Sequence, residues 1–294
     1  MSAGKVDAVS YVGTDISKLH PRPRVGRYIS GILTLACLAV IIIAFRRGQI
    51  DWPTVSRYLF DFRLIEGLGR TILLSFLSMA FGLMIGACVA LMRMSPNPVV
   101  ASVSWAYVWI FRGTPVLLQV LMIFNIALIV PVIAFPGVFE VRTIDVVTPF
   151  VAAVLAFSLN EGAYLAEIIR GGIISVNKGQ SEAAISLGMS PYARMRYVIF
   201  PQAMPAVIPA VGNQTIGVLK LSSFASVISY TELLHRAQEI YYVSGKVMEL
   251  LIVASFWYLV TTSIAGIGQY YLERYFRRSE AGRQNHLANA TVQA

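Results

Sequence analysis

Four polar residues fall inside long apolar stretches of the chain, where charged and amide side chains are rare. Asn160 and Glu161 lie near the middle of the apolar run 148–169, and Lys220 lies slightly beyond the middle of a later run. Asn213 precedes Lys220 by seven residues and therefore shares its helical face. An ionisable group inside an apolar segment costs several kcal/mol unless it is paired or hydrated. The four residues therefore mark either a structural contact or a polar pathway.

Two interpretations of these charges remain open at the level of sequence. Glu161 and Lys220 either neutralise each other and hold two segments together, or both line a pathway. A second pair of opposite charges, Glu167 and Arg170, is spaced three residues apart near the end of the same run. This spacing predicts a local ion pair on one helix, with a gating role as the alternative.

The sequence predicts no catalytic residue, metal site or cofactor. Cys37 and Cys88 lie in apolar runs without ligand spacing and are expected to pack as small hydrophobes, and no two histidines stand at ligand spacing. No Ser-His-Asp, His-Cys or paired-carboxylate pattern supports enzyme chemistry. A phosphate-binding G-x-x-x-x-G-K-[ST] loop is also absent, because both Gly-Lys pairs, Gly4-Lys5 and Gly245-Lys246, are followed by valine.

The polar residues belong to a chain whose composition is that of an integral membrane protein. Of its 294 residues 56% are hydrophobic and only 13% are charged. The net charge of +9 is better explained by orientation signals in loops than by nucleic-acid binding. The fold class is therefore predicted to be all-α and polytopic. Six apolar runs are long enough to cross a bilayer: 29–45, 68–92, 114–134, 148–169, 206–230 and 249–272.

The distribution of Lys and Arg predicts the orientation of these spans. One set of loops carries about twice as many basic residues as the other, which places that set in the cytoplasm. Both termini, the tails 1–28 and 277–294, and the loop 179–201 are then cytoplasmic. The first span lacks a small-residue cleavage site after it and is interpreted as an uncleaved anchor, 29–46. The polar C-terminal tail is expected to be disordered.

Local signals support the spans and the segments between them. Thr148 and Pro149 are typical of a helix N-cap and first helical position. Gly82 and Gly86 form a G-x-x-x-G face that allows close helix contact. The aromatic stretch Trp105 to Trp109 is interpreted as interfacial, and Thr114 is expected to cap a new helix at Pro115.

The loop "GQSEAAISLGMSPYARMRYVIFP", residues 179–201, predicts a helix-turn-helix hairpin. A short helix is expected to begin at Ser181, and Gly188 is best able to end it in a left-handed turn. Ser190 and Pro191 then start a second helix that continues until Pro201 interrupts it. Small residues on such a hairpin suit insertion into a partner's groove. An amphipathic loop lying on the bilayer is the alternative.

The loop resembles the EAA signature of ABC importer permeases. The matching residues are Glu182, Ala183, Ala184, Gly188 and Pro201, although the usual Ile-x-Leu-Pro ending is Val-Ile-Phe-Pro here. The resemblance extends over residues 66–276, and this part of the sequence is similar to the polar amino acid permease branch of the family. Its further motifs are "FRGTPVLLQ" (111–119), "EGAYLAEIIRGGI" (161–173), "PQAMPAVIPAVGN" (201–213) and "SYTELLHRAQ" (229–238).

Two features depart from the pattern of that branch. Leu221 occupies a position that is more often polar, and Phe224 one that is more often leucine. The first span is additional to the family's usual five. The Leu221 difference puts the substrate in question, but not the family.

The resemblance implies a type I ABC importer permease in a bacterial inner membrane. Residues 66–276 would form its transmembrane domain and residues 171–205 its coupling loop. Two ATPase subunits would bind such loops, a second permease, identical or homologous, would complete the pathway, and a periplasmic or extracellular solute-binding protein would deliver an amino acid. Asn160, Glu161, Asn213 and Lys220 would then line the pathway, with Glu161 and Lys220 contacting the ammonium and carboxylate of the substrate.

Other function classes predict different features. An ion-coupled secondary amino acid transporter would also carry charges at mid-membrane, but no inverted repeat is apparent. A membrane enzyme or scaffold is the third class, and no catalytic pattern favours it.

Overall fold

The computed structural model describes the backbone of residues 25–135 and 139–292 and the side chains of residues 28–134 and 139–276. Nearly all of the predicted N-terminal tail, 1–28, lies outside the described residues. The chain divides into two compact units, Met1–Ile50 and Asp51–Ala294. The first unit contains helix α1, Val25–Arg47, which agrees with the predicted first span and whose described side chains are exposed.

The second unit is almost entirely helical. Its elements in chain order are α2 (Trp52–Tyr58), α3 (Phe62–Arg93), α4 (Pro98–Gly113), α5 (Val116–Phe124), a 3-10 turn (Ile126–Leu128), β1 (Val132–Phe135), β2 (Phe139–Arg142), α6 (Thr143–Val146), α7 (Pro149–Ile174), α8 (Lys178–Ser186), α9 (Pro191–Arg194), a π-helical turn (Met195–Ile199), α10 (Phe200–Leu221), a second 3-10 segment (Ser222–Ile228), α11 (Leu233–Ser244) and α12 (Val247–Val292).

Helices α3 and α7 form the centre of the unit, and glycines let them approach closely. A Cβ carbon on Gly82 would lie 2.9 Å from the Cβ of Glu161, and one on Gly86 would lie 2.7 Å from the Cβ of Leu165. The predicted G-x-x-x-G contact is therefore confirmed. The predicted N-cap of α7 is confirmed as well, because Thr148 Oγ1 accepts a hydrogen bond from the backbone of Val151.

Two hydrophobic clusters flank this contact. In one, Leu74 of α3 and Val120 of α5 pack on the small residues Ala152, Ala153 and Ala156 of α7. In the other, Leu64 and Leu68 of α3 pack on residues of α11 and α12. The buried carboxylate of Glu232, the N-cap of α11, accepts hydrogen bonds from the Thr71 and Tyr258 hydroxyls, 3.2 and 2.6 Å away.

The start of α12 is fixed to the short helix α2. Asp51 caps α2, and its carboxylate lies 2.9 Å from the ammonium of Lys246. The hydrogen bond from Lys246 holds the pKa of Asp51 below its usual value. The indole of Trp257 also donates to the Leu59 carbonyl, at 2.7 Å.

The predicted count of six spans is not reproduced in full by helix length and composition. Among the described residues, four helices are long and apolar enough to cross a membrane: α1, α3, α7 and α12. The bent pair α4 and α5 makes up to five if it counts as one span. Helix α10 has the length but is not among them, since proline and amide residues lower its apolar content. The predicted span 206–230 is helical only to Leu221 and then continues as a 3-10 segment.

The predicted third span, 114–134, is wrong as a single helix. Its helical part, α5, ends at Phe124, and a hairpin of β1 and β2 follows the 3-10 turn. Pro131 lacks the backbone N–H that a continuing helix would need. The aromatic stretch expected at the interface belongs to α4, and Thr114 does not cap α5, whose N-cap is Pro115.

Two further expectations need correction. The backbone of α12 continues as helix to Val292, so the tail expected to be disordered is helical over most of its length. Cys37 and Cys88 are exposed on the chain rather than packed inside it. An apolar helix that faces lipid can expose small hydrophobes without cost, because lipid is as apolar as a protein core.

Candidate functional site

The EAA loop forms the predicted helical hairpin, with a different starting residue. Helix α8 begins at Lys178, three residues before the expected start, because the side chain of Asn177 caps it by accepting from the Gly179 N–H at 2.8 Å. Gly188 adopts the left-handed conformation with φ +73°, as predicted. Its N–H donates to the carbonyl of Ile185 at 2.8 Å.

The second half of the hairpin does not stop at Pro201. Ser190 caps α9 as predicted, by accepting from the Ala193 N–H at 3.2 Å. The chain then widens into the π-helical turn, where the Phe200 N–H donates to the carbonyl of Met195 five residues earlier. Pro201 therefore lies in the first turn of α10, where a missing N–H is tolerated.

The two alanines of the signature face different ways. Glu182 and Ala183 are exposed, as is Leu187, which is 81% exposed. Ala184 is buried, so it lies inside the hairpin and not on its outer surface. Glu182, Ala183 and Gly188 are therefore available to a partner, and Ala184 packs the loop.

A side-chain contact joins the loop to the next long helix. The amide of Gln202 in α10 donates to Gln180 Oε1 of α8 at 3.1 Å and to the Val198 carbonyl at 2.8 Å. The start of α10 is thus joined directly to α8. Gln180 and Gln202 were not among the residues that the sequence singled out.

The structure does not bring Glu161 and Lys220 together. Glu161 is buried, and neither of its carboxylate oxygens makes a hydrogen bond of normal geometry to a described residue. The polar group close enough to act on this carboxylate is the side chain of Gln214. Lys220 is exposed, and no ion pair joins it to Glu161 within the described residues.

The other two polar candidates, Asn213 and Asn160, form hydrogen bonds with residues other than Glu161 and Lys220. Asn213 is exposed on α10, and its amide lies 3.3 Å from Glu273 Oε1 of α12. Asn160 is buried and donates to the carbonyl of Phe111 and to Gln119 Oε1, each at 3.0 Å. Asn160 and Glu161 are adjacent in sequence but contact different helices.

The contact of Asn160 lies at a sharp break between α4 and α5. The two helices are bent by 104° around Gly113, Thr114 and Pro115. Residues 112–115 are exposed. Because Asn160 lies near the middle of α7, the break lies beside the middle of the most buried helix that could cross a membrane. The sequence predicts a new helix at Pro115, which agrees with the start of α5 close by, but it does not predict the sharp angle between the two helices.

An open cleft of about 370 Å³ lies beside the break. It is lined by Arg112 at the break, Trp109 of α4, Tyr164 and Glu167 of α7, and Arg93 of α3, among others. The guanidinium carbon of Arg112 lies 5.0 Å above the ring centroid of Tyr164. A cleft of this volume can hold a small polar molecule.

The predicted ion pair of Glu167 and Arg170 is present, and Glu167 is one of the residues that line this cleft. The closest atoms are 2.6 Å apart. Arg93 of α3 lies 3.8 Å from the same carboxylate, which the sequence did not predict. The network therefore ties the ends of α3 and α7 together.

Comparison with known proteins identifies the family to which the chain belongs. A family model described as binding-protein-dependent transport system inner membrane component matches residues 78–278. The chain belongs to this family. It is the membrane-spanning permease subunit of an ATP-driven importer, and the ion-coupled alternative is not favoured.

Curated relatives support the assignment over most of the chain. The permease is 42% identical over 262 residues to an arginine transport system permease of Corynebacterium glutamicum, covering 88% of this chain and 81% of the relative. It is 35% identical over 225 residues to a nopaline transport system permease of Agrobacterium fabrum, covering 75% and 92%.

Solved structures share the fold of the permease. A crystal structure of an amino acid ABC transporter with histidines gives a TM-score of 0.68 at 36% identity, covering 78% of this chain and all (100%) of that one. An inward-facing structure of the MetNI methionine ABC transporter gives 0.58 at 20% identity, covering 74% and 96%, and shows the fold alone.

Proposed function

We propose that this permease carries an amino acid through the membrane along the exposed break between α4 and α5. The observation that carries the proposal is the exposure of residues 112–115 near mid-depth. Irregular backbone at membrane depth is tolerated only where protein covers it or where it lines a water-filled cavity. A charged Arg112 at the same place adds a cost in lipid that water or an anion removes.

Two opposite charges suit the two ends of an amino acid. The guanidinium of Arg112 lies beside the cleft, where it can donate two hydrogen bonds to a carboxylate in a bidentate geometry. Glu161 does not line this cleft and is 1% exposed, but its carboxylate has no hydrogen bond of normal geometry, so an ammonium group could satisfy it once the helices around it move apart during transport. Asn213 and Lys220, exposed on α10, would line the same pathway. Support also comes from the relatives, whose names specify arginine and nopaline transport.

The remaining components of the importer are proposed from the family and from the loop. Two ATPase subunits would bind the coupling loops through Glu182, Ala183 and Gly188. A second permease, identical or homologous, would face the exposed side of the break. A periplasmic or extracellular solute-binding protein would deliver the substrate. Closure of the ATPases would pull α8, and the contact of Gln180 with Gln202 would pass this movement to α10.

The orientation follows from the basic loops. Both termini and the coupling loop would lie in the cytoplasm of a bacterium, and the hairpin of β1 and β2 would lie outside. This places the loop on the side where ATP is available, which the proposed role of the loop requires.

The pathway is tested by uptake into proteoliposomes that contain the permease, its ATPase and the solute-binding protein. Arg112→Met should reduce uptake at low substrate while leaving assembly with the ATPase intact. Arg57→Met is the matched control, since Arg57 is an exposed arginine of α2 away from the break. Uptake by Arg112→Met with an unchanged KM would show that the break is not part of the pathway.

A further inference from the structure

The break between α4 and α5 deprives the backbone carbonyl of Phe111 of its helical donor. In a continuous helix the carbonyl of Phe111 would accept from the N–H of residue 115, which is proline and has none. Two side-chain amides replace that donor. Asn160 Nδ2 and Gln119 Nε2 donate to the Phe111 carbonyl at 3.0 and 2.9 Å.

The two amides also bind each other and the residue at the centre of the break. Asn160 Nδ2 donates to Gln119 Oε1 at 3.0 Å. Gln119 Nε2 also lies 2.8 Å from Thr114 Oγ1 and 3.1 Å from the Thr114 carbonyl, so its two hydrogens are shared among three acceptors, the Phe111 carbonyl included. Thr114 Oγ1 in turn donates to the Ile110 carbonyl at 2.8 Å. The last turn of α4, the break, α5 and α7 are thus joined in one network.

The network lies behind the exposed face of the break. Asn160 and Gln119 are 4% and 6% exposed, so they are removed from solvent and from any substrate in the cleft. Arg112 and Thr114 are exposed, although the Thr114 hydroxyl is also part of the network. A further hydrogen bond joins α4 to α7 close to the network, because the hydroxyl of Tyr107 in α4 donates to the Leu159 carbonyl at 2.6 Å.

We infer that Asn160 and Gln119 are positioning residues, which fix the angle of the break so that Arg112 and Thr114 face the transport pathway. The inference rests on the proposed function of the break. It changes the expected role of Asn160, which acts through the Phe111 carbonyl and does not touch substrate. Glycine and proline permit a break at 113–115, but they do not specify its angle, whereas a closed network of directional hydrogen bonds does.

Transport kinetics distinguish positioning from a general effect on folding. Asn160→Leu and Gln119→Leu keep approximate size and remove the donors. In the proteoliposome system with ATPase and solute-binding protein, each should raise the KM for uptake about 10- to 100-fold, as displacement of a binding group by about 1 Å does. Assembly with the ATPase and maximal rate should change far less.

A matched control and a rescue sharpen the test. Ser104→Ala removes a buried hydrogen bond of α4, the helix that carries Phe111. This bond runs from Ser104 Oγ to the Val89 carbonyl at 3.1 Å and does not involve the break. It should leave KM unchanged. The exchange Asn160→Gln with Gln119→Asn keeps both amides and should restore part of the affinity. If both leucine variants behave like Ser104→Ala, with lower thermal stability but normal KM, the positioning role is wrong.

The angle itself is measured with spin labels on Val103 of α4 and Met122 of α5, both exposed on the chain. Asn160→Leu should broaden or shift their distance distribution, and an unchanged distribution would contradict the inference. Combination with Arg112→Met separates this inference from the proposed function. If Arg112→Met raises KM, Asn160→Leu should add little to it. If Arg112→Met leaves KM normal, the proposed pathway is wrong. If Arg112→Met raises KM but Asn160→Leu does not, the pathway stands and only the positioning role is wrong.

Discussion

Gly82 of α3 lies directly against Glu161 of α7, so close that a Cβ carbon on residue 82 would stand 2.9 Å from the Cβ of Glu161. One turn further, a Cβ on Gly86 would stand 3.1 Å from the backbone nitrogen of Ala166 as well as 2.7 Å from the Cβ of Leu165. Backbone cannot move aside as a flexible side chain can. The two glycines therefore set the distance between the helices and hold Glu161 in its buried position.

Gly86→Ala should destabilise the permease by about 1–3 kcal/mol, because the added methyl group overpacks the contact of α3 with α7. Gly69→Ala is the control on the same helix, where nothing lies within 4 Å of an added Cβ. That change should be neutral or stabilise by roughly 0.5–1 kcal/mol, since alanine loses less conformational entropy in a helix. Thermal unfolding of the purified protein measures both, and equal shifts for the two variants would contradict the packing argument.

Local signals in the sequence predicted the features that depend on neighbouring residues. The caps at Thr148 and Ser190 and the left-handed turn at Gly188 need only a few residues to form, so their chemistry can be recognised in the chain. The Gly82 and Gly86 contact was also visible, because a four-residue spacing places both on one helical face.

The features that were not predicted from the sequence depend on the rotation of each helix about its axis and on where a helix is interrupted. Hydropathy indicates how deep Glu161 and Lys220 lie, but not which direction each side chain faces, and neighbouring residues on a helix point about 100° apart. Asn160 and Glu161 therefore contact different helices. Hydropathy also indicated that 114–134 is apolar, which holds equally for a short helix followed by strands.

Gly188→Val should weaken the binding of the permease to the ATPase. Its φ of +73° is strained for a β-branched residue, although nothing lies within 4 Å to clash with a side chain. The cost therefore comes from the backbone alone, at about 1–2 kcal/mol. Gly188→Asn should be tolerated better than valine, since asparagine enters this conformation more readily. Co-purification with the ATPase ranks the variants, and equal losses for asparagine and valine would point to lost space and not to backbone conformation.

Single cysteines in the coupling loop should distinguish its outer surface from its interior. In a background without Cys37 and Cys88, a cysteine at Ala183 should crosslink to the ATPase, because that position is exposed. A cysteine at Ala184 should crosslink poorly, since Ala184 is 4% exposed. Efficient crosslinking at Ala184 alone would mean that the hairpin opens when the partner binds, and crosslinking to the solute-binding protein would reverse the orientation.

Labelling of intact cells tests the proposed orientation. An impermeant thiol reagent should label a cysteine at Ile144, which is 67% exposed in the segment proposed to lie outside. Cysteines at Ser186 in the coupling loop and at Asn289 near the C-terminus should react only after the cells are opened. Rapid labelling of Ser186 in intact cells, with protection of Ile144, would require the opposite topology.

Glu161→Gln should separate the folding role of this residue from its transport role. The carboxylate is buried without a hydrogen bond of normal geometry, so replacing it by a neutral side chain of the same shape should leave thermal stability unchanged or raise it. Uptake should nevertheless fall about 10- to 100-fold if the carboxylate binds the ammonium of the substrate, as loss of a charge-assisted hydrogen bond of about 1.5–3 kcal/mol predicts.

Lys220→Met provides the matched comparison, because the exposed Lys220 forms no ion pair with Glu161 within the described residues. A structural pair would make each single variant unstable and let the double variant recover both stability and uptake. The structure predicts instead that Lys220→Met leaves the unfolding temperature unchanged and that the double variant stays as inactive as Glu161→Gln. Recovery of uptake in the double variant would establish a pair that forms in the assembled importer, and would remove Glu161 from the substrate pathway.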